Sequence, residues 1–370
     1  MVRAATSGSL PQMSDPTGYQ IIQVEPTELS DEQAREAALL QQALQHERAP
    51  EDPLTPLEVY IQRMRIKPPS QWRAVFAARD SAGRLAGVGA TGYGTNEPEQ
   101  AHLRWCDVSV AASHRRQGVG RALFRSIVEA VDGQRDDIVF IGQGNDRITA
   151  GEAFARTLGA TPGLPMKINQ LVLAEVDRAR LREWAAISPS GYRLARVDGA
   201  VPADVMQAYL QSANGMNDAP KGEIDFGEWK LTEEQVHERE DWLRKAGQEW
   251  WLLVAVHEAT GEGAGFTEVT YDPRVPHVIQ QQGTATIPAH RGHRLGLWLK
   301  AVMLERVLAE RTQAKFIRTG NANTNEQMLE INTKLGFTHA WQTTLWQVKQ
   351  ADARKVVGLE TAEARSRGSG

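Results

Sequence analysis

The sequence predicts an α+β fold in which one module, a mixed central sheet flanked by helices, occurs twice in tandem. A strand, a basic glycine-containing turn and an amphipathic helix follow one another at Arg115 and again at Arg291, 176 residues later. A Leu-Gly pair recurs at Leu158 and at Leu335, 177 residues later. Recurrence at nearly one spacing is the sequence signature of duplication. The alternative is two unrelated α/β domains that share arginine-rich turns.

Each copy is predicted to run through the same order of elements: a strand, two helices, three strands separated by turns, a long helix, a strand, a shorter helix and a closing strand. Ser30 and Thr232 precede acidic residues, as helix N-cap residues do. In the first copy the predicted ranges are Ile21–Val24, Ser30–Glu47, Pro56–Met64, Arg73–Ala78, Leu85–Thr91, His102–Val110, Gly120–Val131, Ile138–Ile141, Gly151–Leu158 and Gln170–Leu173. In the second they are Tyr192–Val197, Pro202–Ala213, Thr232–Lys245, Trp251–His257, Gly265–Tyr271, Val278–Ile287, Leu295–Arg311, Lys315–Thr319, Asn325–Leu335 and Trp341–Val348.

The predicted division of the chain follows from this order. Residues 19–176 and 191–350 form the two copies, joined by a connector at 177–190 in which Asp177–Ala186 is predicted to be helical. Residues 1–18 lack the apolar core of a signal peptide and are predicted to be a disordered arm. Residues 351–370 are predicted to be a frayed tail.

Composition limits the class of protein. The 370 residues suffice for two domains at roughly 100–200 residues each. A net charge of −4 gives no overall basic field for nucleic acid. Cys106 is the single cysteine, which excludes a disulfide within the chain and suits a reducing cytoplasm. No segment has the length and apolar character of a membrane span. We therefore expect a cytoplasmic monomer or homodimer that binds neither nucleic acid nor membrane.

The turn of the first copy has the chemistry of an anion site. A helix N-terminus presents unpaired N–H groups and the positive end of the helix dipole, and glycines let the backbone approach an anion closely. The turn is therefore predicted to hold a pyrophosphate, although it is neither a Walker loop nor the dinucleotide GxGxxG. The predicted cofactor-binding residues of this copy are Val108, Val110, Arg115, Arg116, Gln117, Gly118, Val119, Gly120 and Arg121.

The turn RRQGVG at residues 115–120 resembles the Q/R-x-x-G-x-G/A signature of the GNAT superfamily of N-acetyltransferases, and the order of elements is similar to that fold. The run NANTNEQMLEINTKLGF at residues 321–337 resembles the family's next motif, whose helix flanks the thioester and pantetheine arm of acyl-CoA. The resemblance covers about residues 18–348 and extends to the tandem arrangement that is also seen in mycothiol synthase. It implies acetyl-CoA as the cofactor.

The turn of the second copy departs from that signature at one position. Arg294 stands where the first motif glycine is expected, so a backbone N–H remains and a cation is added. His290 and His293 form an H-x-x-H pair without an evident third ligand, so no metal site is predicted. The predicted cofactor-binding residues of this copy are Ala285, Ile287, Arg291, Gly292, His293, Arg294, Leu295, Gly296, Asn321 and Asn325.

The candidate catalytic residues are Glu268 and Asn332. Many GNAT proteins place a tyrosine four residues before the glycine of Leu-Gly-Phe, as the general acid for the leaving thiolate; Ala155 and Asn332 stand there in the two copies. Glu268 is a carboxylate within a strand pattern at the sheet centre, and it is predicted to accept the proton of the attacking amine. The alternative is an outward-facing strand residue.

The loop at residues 215–229 combines carboxylates with aromatic residues, which suits a cationic amine. Its predicted substrate-binding residues are Asn217, Asp218, Asp225 and Trp229. The alternative is an acidic loop that is simply exposed to solvent.

These observations predict an acetyl-CoA-dependent N-acetyltransferase that acts on the amine of a small molecule, such as an antibiotic or an amino-acid-like metabolite. The second copy is favoured as catalytic because it carries the Asn-rich helix, Glu268 and the acidic loop. The first copy is predicted to bind CoA structurally. A non-catalytic acyl-CoA sensor or scaffold is the alternative, and acylation of protein amines is a third option.

Overall fold

The computed structural model of the chain describes residues 18–359. Within them, twelve strands form one continuous sheet. The strands are β1 (Gln20–Val24), β2 (Gln71–Arg79), β3 (Leu85–Gly94), β4 (Leu103–Val110), β5 (Val139–Asn145), β6 (Thr161–Val172), β7 (Tyr192–Asp198), β8 (Glu249–His257), β9 (Gly263–Tyr271), β10 (Val278–Thr286), β11 (Phe316–Ala322) and β12 (Thr338–Lys349).

Ten helices flank the sheet in this part of the chain. They are α1 (Asp31–Arg48), α2 (Leu57–Met64), α3 (Val119–Ala130), α4 (Thr149–Thr157), α5 (Arg178–Ala185), α6 (Ala203–Ala213), α7 (Glu233–Lys245), α8 (Leu295–Glu310), α9 (Glu326–Lys334) and α10 (Gln350–Val356). Capping boxes at Ser30 and Thr232 begin α1 and α7, as their sequences predict. None of the ten combines the length and apolar composition that crossing a membrane requires.

The order of strands across the sheet shows that the two copies exchange their closing strands. The order is β1-β2-β3-β4-β5-β12-β6-β11-β10-β9-β8-β7. Strand β12 of the second copy pairs with β5 of the first, and β6 of the first pairs with β11 of the second. The two exchanged strands pair with each other at the centre. The connector at residues 177–190 therefore separates the two copies in the sequence but not in the structure. Each copy supplies one strand to the part of the sheet that the other copy forms.

Each copy contains one parallel strand pair that separates along its length. Strands β10 and β11 pair from Val278 to Gln280 and then diverge, and β4 and β5 pair from Leu103 to Trp105. The other neighbouring strands in the sheet are antiparallel. Divergence of parallel strands opens a cleft at their carboxyl ends, which is where ligands bind in open α/β sheets.

The sheet is buried on both faces. Along β8, Trp251, Leu253 and Ala255 pack with α5 and α8, whereas Trp250 and Leu252 pack with α6 and α7. This alternation follows from the two-residue period of a strand. A separate core lies under α3 and α10 in the first half, and a fourth joins β4, β5, β6 and β12.

The C-terminal segment differs from the predicted frayed tail. Residues 360–370 of that tail lie outside the described residues, whereas residues 350–356 form α10. Ala353 of this helix is fully buried, and Arg121 of α3 donates a hydrogen bond to the carbonyl of Val356. The tail prediction is therefore wrong for this segment. The predicted arm lies outside the described residues apart from Gly18.

A buried ion pair ties the halves together beside the exchanged strands. Arg318 of β11 donates to both carboxylate oxygens of Asp52, which lies between α1 and α2, and its Nε donates to Gln170 of β6 at 2.7 Å. Both charged side chains are more than nine-tenths buried. A second contact joins Arg63 of α2 to Asp272 at 2.8 Å.

Asp52→Ala is expected to lower the free energy of unfolding by about 3 kcal/mol, because it leaves the Arg318 cation buried without its partner. The double variant Asp52→Leu, Arg318→Met should recover most of that loss, since it removes both charges together. Urea unfolding measures both values. Asp241→Ala breaks an exposed pair and should leave the free energy of unfolding nearly unchanged. Equal stability of the Asp52 variant and the wild type would contradict this account.

Candidate active site

A cavity of about 990 Å³ lies where β10 and β11 diverge. Its walls are β10, the basic turn and the first turns of α8, the end of β11, and α9. Helix α5 of the connector and the start of the loop after α6 complete it. Of the predicted site residues, those that line the cavity are Asp218, Ala285, Arg291, Gly292, Arg294, Leu295, Gly296, Asn321 and Asn325.

A β-bulge shapes the inner wall of this cavity. The pairing of β10 with β9 breaks between Gln281 and Thr284, so Gln282 and Gly283 have no partner in the ladder. The side-chain amide of Gln281 holds the bulge by donating to the carbonyl of Glu268 at 2.7 Å. A Cβ at residue 283 would lie 2.8 Å from the ring of Phe266, so only glycine fits there. Bulges re-aim backbone groups beside active sites, and here both residues of the bulge, Gln282 and Gly283, line the cavity.

The basic turn forms the outer end of the cavity. Gly292 has a φ of 84°, and Arg294, the residue before α8, is held in the left-handed region at a φ of 61°. The unpaired N–H groups of the first turn of α8 make this an anion site. Arg291 donates to Asp218 at 2.6 Å, whereas the side chain of Arg294 has no hydrogen-bond partner within residues 18–359. Arg294 is therefore the arginine of the turn that is free to meet a phosphate.

A tyrosine hydroxyl contacts a histidine beside each basic turn. The hydroxyl of Tyr192 lies 2.9 Å from Nδ1 of His290, and that of Tyr19 lies 3.0 Å from Nδ1 of His114. Burial, and the neighbouring His257, lower the pKa of His290 below its usual value. The neutral ring suits a structural role in the turn.

Lys300 of α8 is a cavity residue that the sequence analysis missed. Its side chain is almost fully buried, at 3% exposure, and it has no ion-pair or hydrogen-bond partner in the described chain. The nearest aromatic ring is that of Phe337, with its centroid 5.3 Å from Nζ. Burial lowers the pKa of Lys300 to about 7. The only sequence signal was a lysine between the apolar residues Leu299 and Ala301 of an otherwise ordinary helix.

Asn332, a predicted catalytic residue, does not line the cavity. It is 1% exposed, and its side-chain amide donates to Oδ1 of Asn321 at 2.8 Å. Asn321 does line the cavity, so Asn332 acts through it as a positioning residue. Asn325 lines the cavity as well and caps α9 by accepting from the N–H of Met328 at 3.2 Å.

Glu268 is not the solitary carboxylate that the sequence suggested. It faces α6 and α7, is 4% exposed, and does not line the cavity. Oε2 accepts from the indole N–H of Trp250 at 2.8 Å and lies 3.0 Å from Arg239. Oε1 accepts from Arg239 at 3.1 Å and from the N–H of Gly283 at 3.4 Å. Both oxygens are occupied, so the structure does not support Glu268 as the proton acceptor and makes it a support for the bulge.

The predicted substrate-binding residues separate into two groups. Asp218 lines the cavity and holds Arg291, while Asn217 exchanges two hydrogen bonds with the backbone of Trp229 and closes the loop. Asp225 does not line the cavity. Its backbone carbonyl lies 2.8 Å from Nε2 of His102 in the first half. The later part of the loop therefore reaches across to the first copy.

The equivalent cleft of the first copy is largely filled. Its cavity measures about 110 Å³, and β4 pairs with β3 without a bulge. Phe124 stands at the position that corresponds to Lys300, and the ring of Phe154 lies over Gly120. Arg115 is held by two 2.6 Å hydrogen bonds to Glu47.

The remaining predicted residues of the first turn surround this filled cleft. Val108 and Val110 pack against the core under α3, and Val119 is buried in it. Gln117 accepts a hydrogen bond from Tyr19 and donates one to the carbonyl of Ser113. Gly118 precedes α3 at a φ of 88°. Arg116 and Arg121 are exposed, as are His293 of the second turn and, in part, Ile287 before it.

Comparison with known proteins agrees with this geometry. Residues 37–160 match the model of the acetyltransferase (GNAT) family. A solved tandem GNAT protein from the clavulanic acid biosynthesis pathway is 22% identical and covers 90% of this chain and 98% of its own, with a TM-score of 0.72. Residues 37–160 therefore match a GNAT acetyltransferase domain, and the chain as a whole has the fold of a tandem GNAT protein. The predicted fold class is confirmed, and the predicted family and N-acetyltransferase type are confirmed for the matched residues 37–160.

Two further solved structures resemble this chain. A GCN5-related N-acetyltransferase from Sphaerobacter thermophilus is 13% identical, covers 90% of this chain and 96% of its own, and has a TM-score of 0.62. A GCN5-related glucosamine N-acetyltransferase region of a fungal β-N-acetylglucosaminidase is 12% identical over 92% of this chain and 38% of its own, with a TM-score of 0.59. At these identities the likeness is one of fold. No characterised protein sequence matches the chain.

Arg294→Gly is expected to raise the free energy of unfolding by about 1 kcal/mol, because a non-glycine residue pays that cost in the left-handed region. The same change should weaken the binding of inorganic pyrophosphate at this anion site, and the loss should shrink at high salt. Arg116→Gly relieves the same strain in the first turn, at a φ of 62°. Calorimetry and urea unfolding should show stabilisation in both variants and weaker binding only in the first. Unchanged affinity in Arg294→Gly at low salt would contradict the assignment of Arg294.

Lys300 is expected to make stability depend on pH. Its pKa is about 7 in the folded chain and 10.5 in a free side chain, so the unfolded state binds the extra proton between these values. The free energy of unfolding attributable to Lys300 should therefore rise with pH, by on the order of 3 kcal/mol from about pH 7 to pH 10. The measurement is the difference between wild type and Lys300→Met in urea unfolding across this range. A difference that stays constant with pH would show that Lys300 is not buried as a neutral amine.

Proposed function

We propose that this tandem GNAT protein is an acetyl-CoA-dependent N-acetyltransferase for a small-molecule amine, with the reaction in the second copy. The observation that supports this most is the contrast between the clefts. The cleft of the second copy is about nine times as large, at about 990 against 110 Å³, and it alone has the β-bulge. A cavity of this size is in the range of sites that bury cofactor-sized ligands.

The cavity offers each group that the donor requires. The N-terminus of α8 and Arg294 would hold the pyrophosphate, as helix N-termini hold phosphate groups elsewhere. The end of β10 and Asn321 would line the path of the pantetheine arm. The backbone N–H of Gln282, which lies at the break in the β9 ladder, would face the thioester carbonyl and stabilise the negative charge that develops on its oxygen.

Transfer requires one proton to move from nitrogen to sulfur. The amine nitrogen attacks the thioester carbonyl carbon, the C–N bond forms, and the C–S bond breaks to leave a thiolate. Lys300 is the group in the cavity wall poised for this exchange, because its amine lacks a partner in the described chain and its pKa is near neutrality. As the neutral amine it takes the proton from the nucleophile, and as the ammonium it returns that proton to the sulfur.

The first copy then serves as a structural partner that binds no CoA. Phe124, Phe154 and Trp346 occupy the space that a pantetheine arm would need. This departs from the expectation, stated from the sequence, that the first turn binds CoA structurally. The proposal therefore requires one acetyl-CoA per chain. A non-catalytic acyl-CoA sensor would share that stoichiometry but would consume no thioester.

Lys300→Met is expected to lower the turnover number by about 10²–10⁴, as the loss of a positioned acid–base group does. The wild-type rate should fall as the pH drops below about 7, where the amine becomes protonated, and the variant should lack that limb. Acetyl-CoA affinity should change little, because methionine preserves the volume of the side chain.

The assay is thioester consumption with a panel of small amines, alongside calorimetric stoichiometry. Lys355→Met, an exposed lysine paired with Asp352, is the matched control and should retain full turnover. Near-normal turnover in Lys300→Met with an unchanged pH profile would remove Lys300 from the mechanism. Binding of one acetyl-CoA without any turnover in the wild type would favour the sensor, and two bound molecules would contradict the assignment of the first copy.

A further inference from the structure

We infer that the connector helix α5 holds the adenosine end of the acyl donor, with Trp184 stacking on the purine and Arg180 binding the 3′-phosphate. This inference rests on the proposed function, since it names the part of the protein that recognises the nucleotide of that donor. The connector lies outside the residues that match the family and between the two copies of the fold. It nevertheless forms part of the cavity wall through Arg180, Trp184 and Ile187.

Helix α5 is held firmly enough to form a binding wall. Its first turn is capped by Asp177, which accepts from the N–H groups of residues 179 and 180 at 3.1 and 3.0 Å. Leu181, which is 2% exposed, anchors the helix in the core under α8. At its end, the indole N–H of Trp298 donates to the carbonyl of Ala185 at 3.0 Å. Contacts at the start, the middle and the end of α5 therefore fix the helix, and with it the side chains that face the cavity.

The two side chains have the chemistry that a purine nucleotide needs. Trp184 is half-buried, packs against the core and faces the cavity, so part of its ring remains available. The guanidinium carbon of Arg180 lies 5.9 Å from the centroid of that ring. Bases stack on aromatic side chains, and a planar guanidinium matches the oxygens of a phosphate. A base on Trp184 would place its sugar phosphate within the reach of Arg180.

The charges around the cavity favour α5 over α9, another of its walls, as the site of the 3′-phosphate. A CoA molecule carries three phosphate groups, so two separate cationic sites are required. Arg291 is engaged by Asp218 at 2.6 Å, and Lys334 of α9 is engaged by Glu330 at 2.6 Å. Arg294 and Arg180 have no carboxylate partner in residues 18–359. Arg294 lies at the N-terminus of α8, where the pyrophosphate is expected, which leaves Arg180 for the 3′-phosphate.

The test compares three acetyl donors: acetyl-CoA, acetyl-dephospho-CoA and S-acetylpantetheine. Trp184→Ala should raise KM about tenfold for the two donors with adenosine and leave KM for S-acetylpantetheine unchanged. Trp184→Phe should restore much of the affinity because it keeps a ring for stacking. Arg180→Ala should raise KM about tenfold for acetyl-CoA alone, because the other two donors lack the 3′-phosphate. None of the variants should change kcat.

Arg182→Ala is the matched control, since Arg182 is an exposed arginine of the same helix that does not line the cavity. The idea is wrong if Arg180→Ala weakens all three donors equally or none of them. A selective loss for acetyl-CoA in Lys334→Ala, with Arg180→Ala unaffected, would place the 3′-phosphate on α9 and overturn it. Because Arg180 is exposed, its variant reports on binding even if Trp184→Ala folds poorly. Absence of turnover with acetyl-CoA in the wild type would instead be a failure of the proposed function.

Discussion

The antiparallel pairing of β6 with β12 is the interaction on which the architecture depends. These strands, from different copies, meet at the centre of the sheet and separate β5 from β11. Because of this pairing, the strands of both copies form one uninterrupted sheet. The parallel strand pair of each copy lies next to a strand that belongs to the other copy. The cleft of the second copy depends on this exchange. Ile168 and Met166 of β6 pack over Gly320 of β11, and Gly320 lines that cleft. The cleft of the second copy is thus partly built by the first.

Within this shared frame the two copies have diverged in opposite directions. Phe124 and Phe154 fill one cleft, whereas Lys300 and Ile331 leave the other open. Each turn holds one left-handed arginine, Arg116 or Arg294, but the open cleft alone has a buried amine in its wall, that of Lys300, with no partner among residues 18–359. Strain and buried polar groups concentrate at functional sites because the surrounding structure can sustain them. The filled copy contributes well-packed apolar contacts to that surrounding structure.

The sequence predicted what depends on local signals. The repeat, the order of elements and the capped helix starts follow from periodicity and turn residues, and their bounds agree with the structure to within a few residues over most of the chain. The exchange of β6 and β12 was not predictable, because a strand has the same local pattern whichever copy it joins. The surroundings of Glu268 were not predictable for a similar reason: its partner Arg239 comes from a helix 29 residues earlier, and no spacing rule connects them. The position of Asp225 was not predictable either, because its loop packs against His102 of the first copy.

The exchanged strands also bear on how the chain is made. A ribosome delivers β5, which begins at Val139, long before β12, which begins at Thr338 and is its neighbour in the sheet. During that interval the first half has an open strand edge and an uncovered apolar core around Leu103 and Ile141. Unpaired edges of this kind are templates for aggregation, and pairings distant in sequence form slowly. Nascent chains of this architecture therefore need protection until the last strand emerges, and truncation before β12 would leave a complete first copy without a complete sheet.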